Sequence, residues 1–115
     1  MNDVKPIKSI GEAFELHTGS PHYVLLDANH DSNHVINLGR AIRYNSTYQK
    51  DGINVNLMEL HENSIRVATY ERGVEGETLS CGTGVTAAAL VFAKLRQRNK
   101  GSIEVQTKGL SLIHI

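Results

Sequence analysis

The single cysteine of the chain occupies a position at which a thiol can act as an acid or a base. Cys81 is followed by Gly82-Thr83-Gly84 and an alanine-rich apolar run, a pattern that predicts the start of a helix. The first N–H groups of a helix lack partners within it and carry the positive end of its dipole, so they stabilise a thiolate or a bound carboxylate. The glycines flanking Thr83 let the backbone approach a small ligand closely. The alternative is a small buried cysteine without chemical function.

Several segments together resemble the second half of diaminopimelate epimerase. The first resemblance rests on Tyr70-Glu71-Arg72-Gly73-Val74, the acidic-glycine loop after it, and Glu77-Thr78-Leu79-Ser80-Cys81-Gly82-Thr83-Gly84. Thr18-Gly19-Ser20-Pro21-His22 is similar to the family's Gly-Asn-Pro-His segment, and Gly52-Ile53-Asn54-Val55-Asn56 is similar to its strand containing Asn-Val. The matches keep the family's order from Phe14 to Gly109, which makes them more specific than a Cys-Gly-Thr-Gly string alone.

The resemblance implies an isomerase that needs no cofactor and converts LL-diaminopimelate to the meso isomer in lysine and cell-wall precursor biosynthesis. In that family, cysteines on opposite faces of the α-carbon remove and return a weakly acidic proton. Donors around the α-carboxylate stabilise the negative charge that develops. Cys81 matches one of the two thiols. The second belongs to an N-terminal domain that we expect this chain to lack, so we expect the chain alone to be inactive.

The resemblance also implies roles for residues on either side of the cysteine. Gly82 and Thr83 match the positions that hold the substrate α-carboxylate. The alternative is simple helix capping by Thr83, and the two roles are compatible. Glu71 and Arg72 match residues that contact the substrate's amino and carboxylate groups, and Glu71 is also a candidate for assisting proton transfer. The alternative for that pair is a solvated surface site.

Three further residues match the family's site closer to the N-terminus. Asn54 matches a substrate-binding asparagine, and its alternative is a polar residue on an exposed strand face. His22 matches a histidine beside the reacting centre, and its alternative is a structural hydrogen-bonding role. Ser20 stands where the family commonly has asparagine, which shortens the reach of any hydrogen bond to substrate. The loop 73–77 is one residue longer than usual, which could shift Glu71 relative to Cys81.

Hydrophobic periodicity predicts the elements that must position these residues. Alternation favours a hairpin-like pair of strands near the N-terminus and a second antiparallel pair later in the chain. Asn33 is suited to capping a short helix, which a polar loop then follows. The predicted elements are the strands Ala13–His17 and His22–Asp27, the helix Val35–Arg43, the loop Asn45–Gly52, and strands over about 53–58 and 65–70.

The predicted helix from about Thr83 to Arg98 has almost no polar face, so we expect it to be buried on all sides. Strands precede it, and the run 103–107 that follows also reads as a strand. We therefore expect an α+β domain, spanning residues 1–115, in which a curved, mostly antiparallel sheet wraps around one central apolar helix. The family resemblance implies two such domains facing each other across a cleft. Residues 110–115 start like a strand and stop where the chains of the resembled family continue, so the resemblance implies a truncated C-terminal end.

Composition excludes several classes of partner. Lysine plus arginine equals aspartate plus glutamate at 12 each, which gives no general attraction to nucleic acid or to a membrane. The basic residues Lys94, Arg96, Arg98 and Lys100 fall at the end of a predicted helix, where cations complement its dipole. The longest apolar run is too short to span a membrane. No histidine spacing predicts a metal site. One cysteine and no signal sequence favour the cytoplasm.

The leading hypothesis is thus one half of a diaminopimelate epimerase, with diaminopimelate as the small-molecule partner. One alternative is a binding or assembly module for a small acid that does not catalyse turnover. Another is an isomerase of the same superfamily that acts on a different small acid. The surface left by a missing domain also makes a homodimer possible. Proton exchange into diaminopimelate would distinguish the first two hypotheses.

Overall fold

The computed structural model describes residues 7–61, 64–78, 82–96, 104–107 and 112–114. They form two helices and one open sheet, so the chain is an α+β protein. In chain order the elements are β1 (Lys8–Ile10), β2 (Ala13–His17), β3 (Pro21–Leu26), α1 (Ser32–Arg43), β4 (Asn54–Leu60), β5 (Ser64–Glu71), β6 (Gly76–Thr78), α2 (Gly82–Arg96), β7 (Glu104–Thr107) and β8 (Leu112–His114).

The sheet is mixed rather than purely antiparallel. Its strand order is β1-β2-β3-β4-β5-β7-β8, and β6 pairs with β5 beside that path. Paired strands that directly follow one another in the chain run antiparallel, whereas β3 pairs in parallel with β4 and β5 pairs in parallel with β7. A parallel pair needs a long crossover connection, and each of these two crossovers contains a helix. The expectation of a mostly antiparallel sheet is therefore confirmed, with two parallel pairings that it did not include.

Most predicted elements lie within a residue or two of their expected positions. The hairpin of β2 and β3 is confirmed, and so is the antiparallel pair of β4 and β5. The predicted cap of α1 is wrong: Asp31 caps the helix, because its carboxylate accepts a hydrogen bond from the N–H of Asn33 at 3.1 Å. Asn33 lies inside the first turn and contributes that backbone donor.

The two helices pack on opposite faces of the sheet. One face carries α1 over Val55, Leu57 and Tyr70, and the other carries α2 over Val24, Met58 and Val67. Alternate residues of β4 and β5 enter different cores, because successive side chains of a strand point to opposite faces. The expectation of one central helix therefore accounts for only one face, since α1 covers the other.

The helix α2 is the more deeply buried of the two. Its residues from Gly84 to Phe92 are buried, apart from exposed Thr86 and partly exposed Leu90. Lys94 is exposed near its end, as expected for a solvated cation at a helix C-terminus, whereas residues 97–103 lie outside the described ranges. Neither described helix combines the length and apolar character needed to cross a membrane.

A glycine sets how closely α1 approaches the sheet. A Cβ atom on Gly39 would lie 2.4 Å from the Cβ of Tyr70, which is closer than two non-bonded carbon atoms can approach. We expect Gly39→Ala to lower the free energy of unfolding by about 1–3 kcal/mol, because the overpacking outweighs the higher helix propensity of alanine. Urea denaturation followed by circular dichroism measures the effect. Gly76→Ala is the matched control, since no atom lies within 4 Å of the added Cβ. A Gly39→Ala protein as stable as the wild type would contradict this account.

Candidate functional site

The candidate site lies where two turns meet the first turn of α2. Because β3 and β4 are parallel, both strands begin at the same edge of the sheet, and His22 pairs there with Asn54. The turn after β5 brings Arg72 to the same edge. A Cβ atom on Gly84 would lie 3.4 Å from Cε1 of His22, so the backbone of α2 reaches this edge as well. Several residues predicted from separate segments are thus neighbours.

Asn54 joins the two turns through its amide. Its Oδ1 accepts a hydrogen bond from the backbone N–H of Arg72 at 2.9 Å, and its Nδ2 donates to the carbonyl of Pro21 at 3.1 Å. The same Nδ2 lies 3.5 Å from Oγ of Ser20, a longer and weaker contact. Asn54 is only 5% exposed. The alternative of a polar residue on an exposed strand face is therefore wrong, because the side chain is buried and its contacts fix the edge of the site.

His22 is fully buried and bonded through both ring nitrogens. Nε2 lies 3.1 Å from Oγ of Ser20, and Nδ1 lies 3.1 Å from Nδ2 of Asn56. Burial, reinforced by the nearby positive charges of His17 and Arg72, lowers the pKa of His22 from 6.5 to about 4. The imidazole is therefore neutral near pH 7, with one nitrogen as donor and the other as acceptor.

Arg72 borders an open cavity of about 560 Å³. Its guanidinium donates to the carbonyl of Asp51 at 2.8 Å, while its backbone is held by Asn54. Ser20 also lines the cavity. Charged and polar side chains make up much of the remaining wall: Lys8, Glu15, His17, Thr47, Tyr48 and Asp51. The cavity is thus suited to a small polar molecule rather than to an apolar one.

Glu75 anchors the turn that carries Glu71 and Arg72. Its carboxylate accepts hydrogen bonds from the hydroxyl of Tyr70, the N–H of Gly73 and Nε of Arg43, each at 3.0 Å. Burial alone would raise the pKa of Glu75, but these donors outweigh it and lower the pKa from 4.5 to about 2. Arg43 belongs to the last turn of α1, so the helix on one face of the sheet helps to fix a turn at its edge.

The predicted carboxylate-binding residues Gly82 and Thr83 are the first two residues of α2, as expected. Close packing of this turn needs a glycine, because a Cβ on Gly84 would lie 2.8 Å from Oδ1 of Asn56. Cys81 precedes the helix in sequence and lies outside the described residues, so its catalytic role stays a prediction.

Sequence reasoning found part of this arrangement. Ser20, His22, Asn54 and Arg72 form one hydrogen-bonded cluster, and Glu71 ends β5 beside it. Reasoning from the sequence missed Asn56, Thr69, Gly84 and Glu75. An asparagine between the apolar residues Val55 and Leu57 of β4 was a usable signal for Asn56. The contact of Glu75 with Arg43 could not be read from local sequence, because the two residues lie 32 positions apart.

Comparison with known proteins identifies the family. The profile of the diaminopimelate epimerase family matches residues 14–113. The chain belongs to the diaminopimelate epimerase family. The diaminopimelate epimerase of Aquifex aeolicus is 51% identical over 101 residues, which is 87% of this chain and 36% of that protein. The diaminopimelate epimerase of Flavobacterium psychrophilum is 38% identical over 112 residues, which is 95% of this chain and 43% of that protein. The diaminopimelate epimerase of Archaeoglobus fulgidus is 41% identical over 96 residues, which is 84% of this chain and 33% of that protein. The chain spans less than half the length of these diaminopimelate epimerases.

The anchoring carboxylate predicts a pH-dependent contribution to stability. Because the pKa of Glu75 is depressed on folding, its charged form contributes stability above pH 4.5 that is lost as the pH falls toward about 2. We expect Glu75→Gln to lower the free energy of unfolding by about 1–3 kcal/mol near pH 7. At a pH of about 2, where the native carboxylate is itself largely protonated, the loss should be much smaller. Urea denaturation of both proteins across this range measures the difference. The exposed carboxylate of Glu12 provides the control Glu12→Gln. A constant difference for Glu75→Gln would contradict the assigned contacts.

Proposed function

We propose that the chain supplies one side of the active site of a cofactor-independent diaminopimelate epimerase, which converts LL-diaminopimelate to the meso isomer. Membership of the family supports this proposal. The observation that carries it is the buried amide of Asn54, which ties the turn of Ser20 and Pro21 to the turn of Arg72. Residues from three separate sequence segments are thereby held around one polar cavity.

In the proposed reaction Cys81 exchanges the α-proton on one face of the substrate. One thiolate takes the proton and becomes a thiol, while a thiol on the opposite face donates its proton to the carbanion and becomes a thiolate. The sulfur atoms thereby exchange charge states and no external oxidant or cofactor is consumed. The 115 residues contain one cysteine, so we propose that the second thiol comes from outside them.

The beginning of α2 is the proposed site for the reacting carboxylate. The backbone N–H groups of Gly82 and Thr83 lie in the first turn, where a helix offers unpaired donors and a partial positive charge. Such donors stabilise the negative charge that spreads onto the carboxylate when the α-proton leaves. The Thr83 hydroxyl adds a donor in this proposal, and the role of helix cap is compatible with it.

Arg72 and Glu71 are the proposed charged contacts of the substrate. A guanidinium suits a carboxylate, and Glu71 suits an ammonium group or assistance of proton transfer at Cys81. Asn54 already donates to Pro21 and accepts from Arg72, so we assign it to holding these turns as well as to contacting substrate. Ser20 contributes a short polar contact beside His22.

We further propose that the sheet curves around α2 and that this domain faces a second one across a cleft. The burial of α2 from Gly84 to Phe92 supports the curvature, and the proposal of a second domain rests on membership of the family. The observation that favours a second candidate, a small-acid binding module without turnover, is the open polar cavity beside Arg72, since half a cleft is still able to bind a carboxylate. Exchange of the substrate α-proton distinguishes the two, because binding alone leaves that proton in place.

The proposal predicts inactivity of the chain alone and activity in a completed protein. In heavy water, the isolated chain should not exchange the α-proton of LL-diaminopimelate, as followed by proton NMR. A chimera in which this chain replaces the matching segment of the Aquifex aeolicus relative should exchange it, because both thiols are then present. In the chimera Cys81→Ser should abolish turnover, whereas the control Thr86→Ala, at an exposed position of α2, should retain it.

Three outcomes would count against this scheme. Turnover by the monomeric chain at about 1 s⁻¹ or faster would remove the need for a second thiol. Exchange that rises with the square of chain concentration would instead point to a homodimer that brings two Cys81 thiols together. A chimera that binds diaminopimelate without exchanging its α-proton would favour the binding module.

The proposed thiol also has a predicted chemical signature. The unpaired N–H groups of a helix start depress a cysteine pKa below its ordinary value of about 8.5. We expect Cys81 to react with iodoacetamide near neutral pH, with a midpoint of the rate against pH below that value. Mass spectrometry of the alkylated chain measures the rate. A thiol that reacts only after the chain is unfolded would support the alternative of a buried, inert cysteine.

A further inference from the structure

A buried line of hydrogen bonds adjoins the candidate site and ends at His22, which contacts Ser20. Oγ1 of Thr69 donates to Oδ1 of Asn56 at 2.9 Å, and Nδ2 of Asn56 lies 3.1 Å from Nδ1 of His22. Asn56 and His22 are fully buried, and Thr69 is only 3% exposed. Three side chains from three different strands are thus linked inside the protein.

The orientation of the Asn56 amide follows from its neighbours. The same atom that faces His22 lies 3.4 Å from the carbonyl oxygen of Tyr23, and a carbonyl only accepts hydrogen bonds. This long contact favours the NH₂ nitrogen at that position without fixing it alone. The hydroxyl of Thr69 then donates to the amide oxygen on the other side. Both partners favour the same orientation of the side chain.

This orientation determines the protonation of the imidazole. Because Asn56 donates to Nδ1, that nitrogen must carry a lone pair, and the single proton of the neutral ring resides on Nε2. Nε2 then donates to Oγ of Ser20, which lies 3.1 Å away. Since this Oγ accepts from the ring, the Ser20 hydroxyl directs its own proton away from His22.

We infer that Asn56, oriented by Thr69, is a positioning residue that holds His22 as the Nε2–H tautomer and so fixes the direction of the Ser20 hydroxyl. The use of this arrangement in catalysis rests on the proposed function, whereas the tautomer itself does not. Asn56 acts through His22 and Ser20 without touching the substrate. The close packing of Gly84 against Oδ1 of Asn56 keeps the amide in place from the side of α2.

Nitrogen-15 NMR of the chain tests the tautomer directly. Long-range proton–nitrogen spectra at pH 7 should show that Nδ1 of His22 is unprotonated and that Nε2 is protonated. The His22 signals are assigned by their absence from the spectrum of His22→Gln. In Thr69→Val, which keeps the shape of the side chain but removes the donor, we expect loss of this single-tautomer signature. Thr69→Ser should restore it, because the hydroxyl remains. Asn56→Asp replaces the donor with an acceptor and should move the proton to Nδ1 or charge the ring.

The outcomes separate this inference from the proposed function. A wild-type protonated Nδ1, or a signature unchanged in both folded Thr69→Val and Asn56→Asp, would overturn the inference. Dispersed amide spectra identify which variants fold. If Asn56→Asp does not fold, the near-isosteric Thr69→Val alone decides the outcome. In the chimera described above, Thr69→Val should lower kcat more than it changes KM, with rescue by Thr69→Ser. A wild-type chimera without turnover but with the expected tautomer would count against the proposed function alone.

Discussion

Two buried asparagines on one strand are the constraint on which the site depends. An amide buried without partners costs about 1–3 kcal/mol, so Asn54 and Asn56 are compatible with this core only where the surrounding backbone satisfies them. Asn54 achieves this by drawing together the turns that carry Pro21 and Arg72, and Asn56 achieves it through contacts with neighbouring strands. The positions of the turns are thus a condition of folding rather than an adjustment made when a ligand binds.

The opposite face of the sheet contributes to the same edge. Gly39 lets α1 approach Tyr70 closely, and the Tyr70 hydroxyl reaches Glu75 in the turn beyond β5. Arg43 of α1 donates to the same carboxylate, so this helix helps to fix the turn that carries Arg72. A substitution in α1 can therefore alter the site without touching it, because the turn is anchored from both faces.

Local patterns predicted most of the elements, but not β1 or β6 and not all of the strand pairings. Alternation identified β2 to β5 because side-chain direction repeats every two residues, and the apolar run identified α2. The parallel pairings depend on how helical crossovers return to the sheet, which periodicity does not encode. The link from Arg43 to Glu75 spans 32 residues and exists only once α1 packs. The motifs located Asn54 and His22, but their burial and donor directions required the three-dimensional neighbours.

The neutral state of His22 has a consequence for the proposed chemistry. A cysteine thiolate is often stabilised by an adjacent imidazolium, but burial of His22 and the nearby positive charges hold its pKa at about 4. Near neutral pH it therefore provides no positive charge. In the proposed reaction, stabilisation of a Cys81 thiolate falls to the N–H groups at the start of α2. The histidine acts as a fixed neutral donor toward Ser20, so proton exchange with the substrate is left to the thiols.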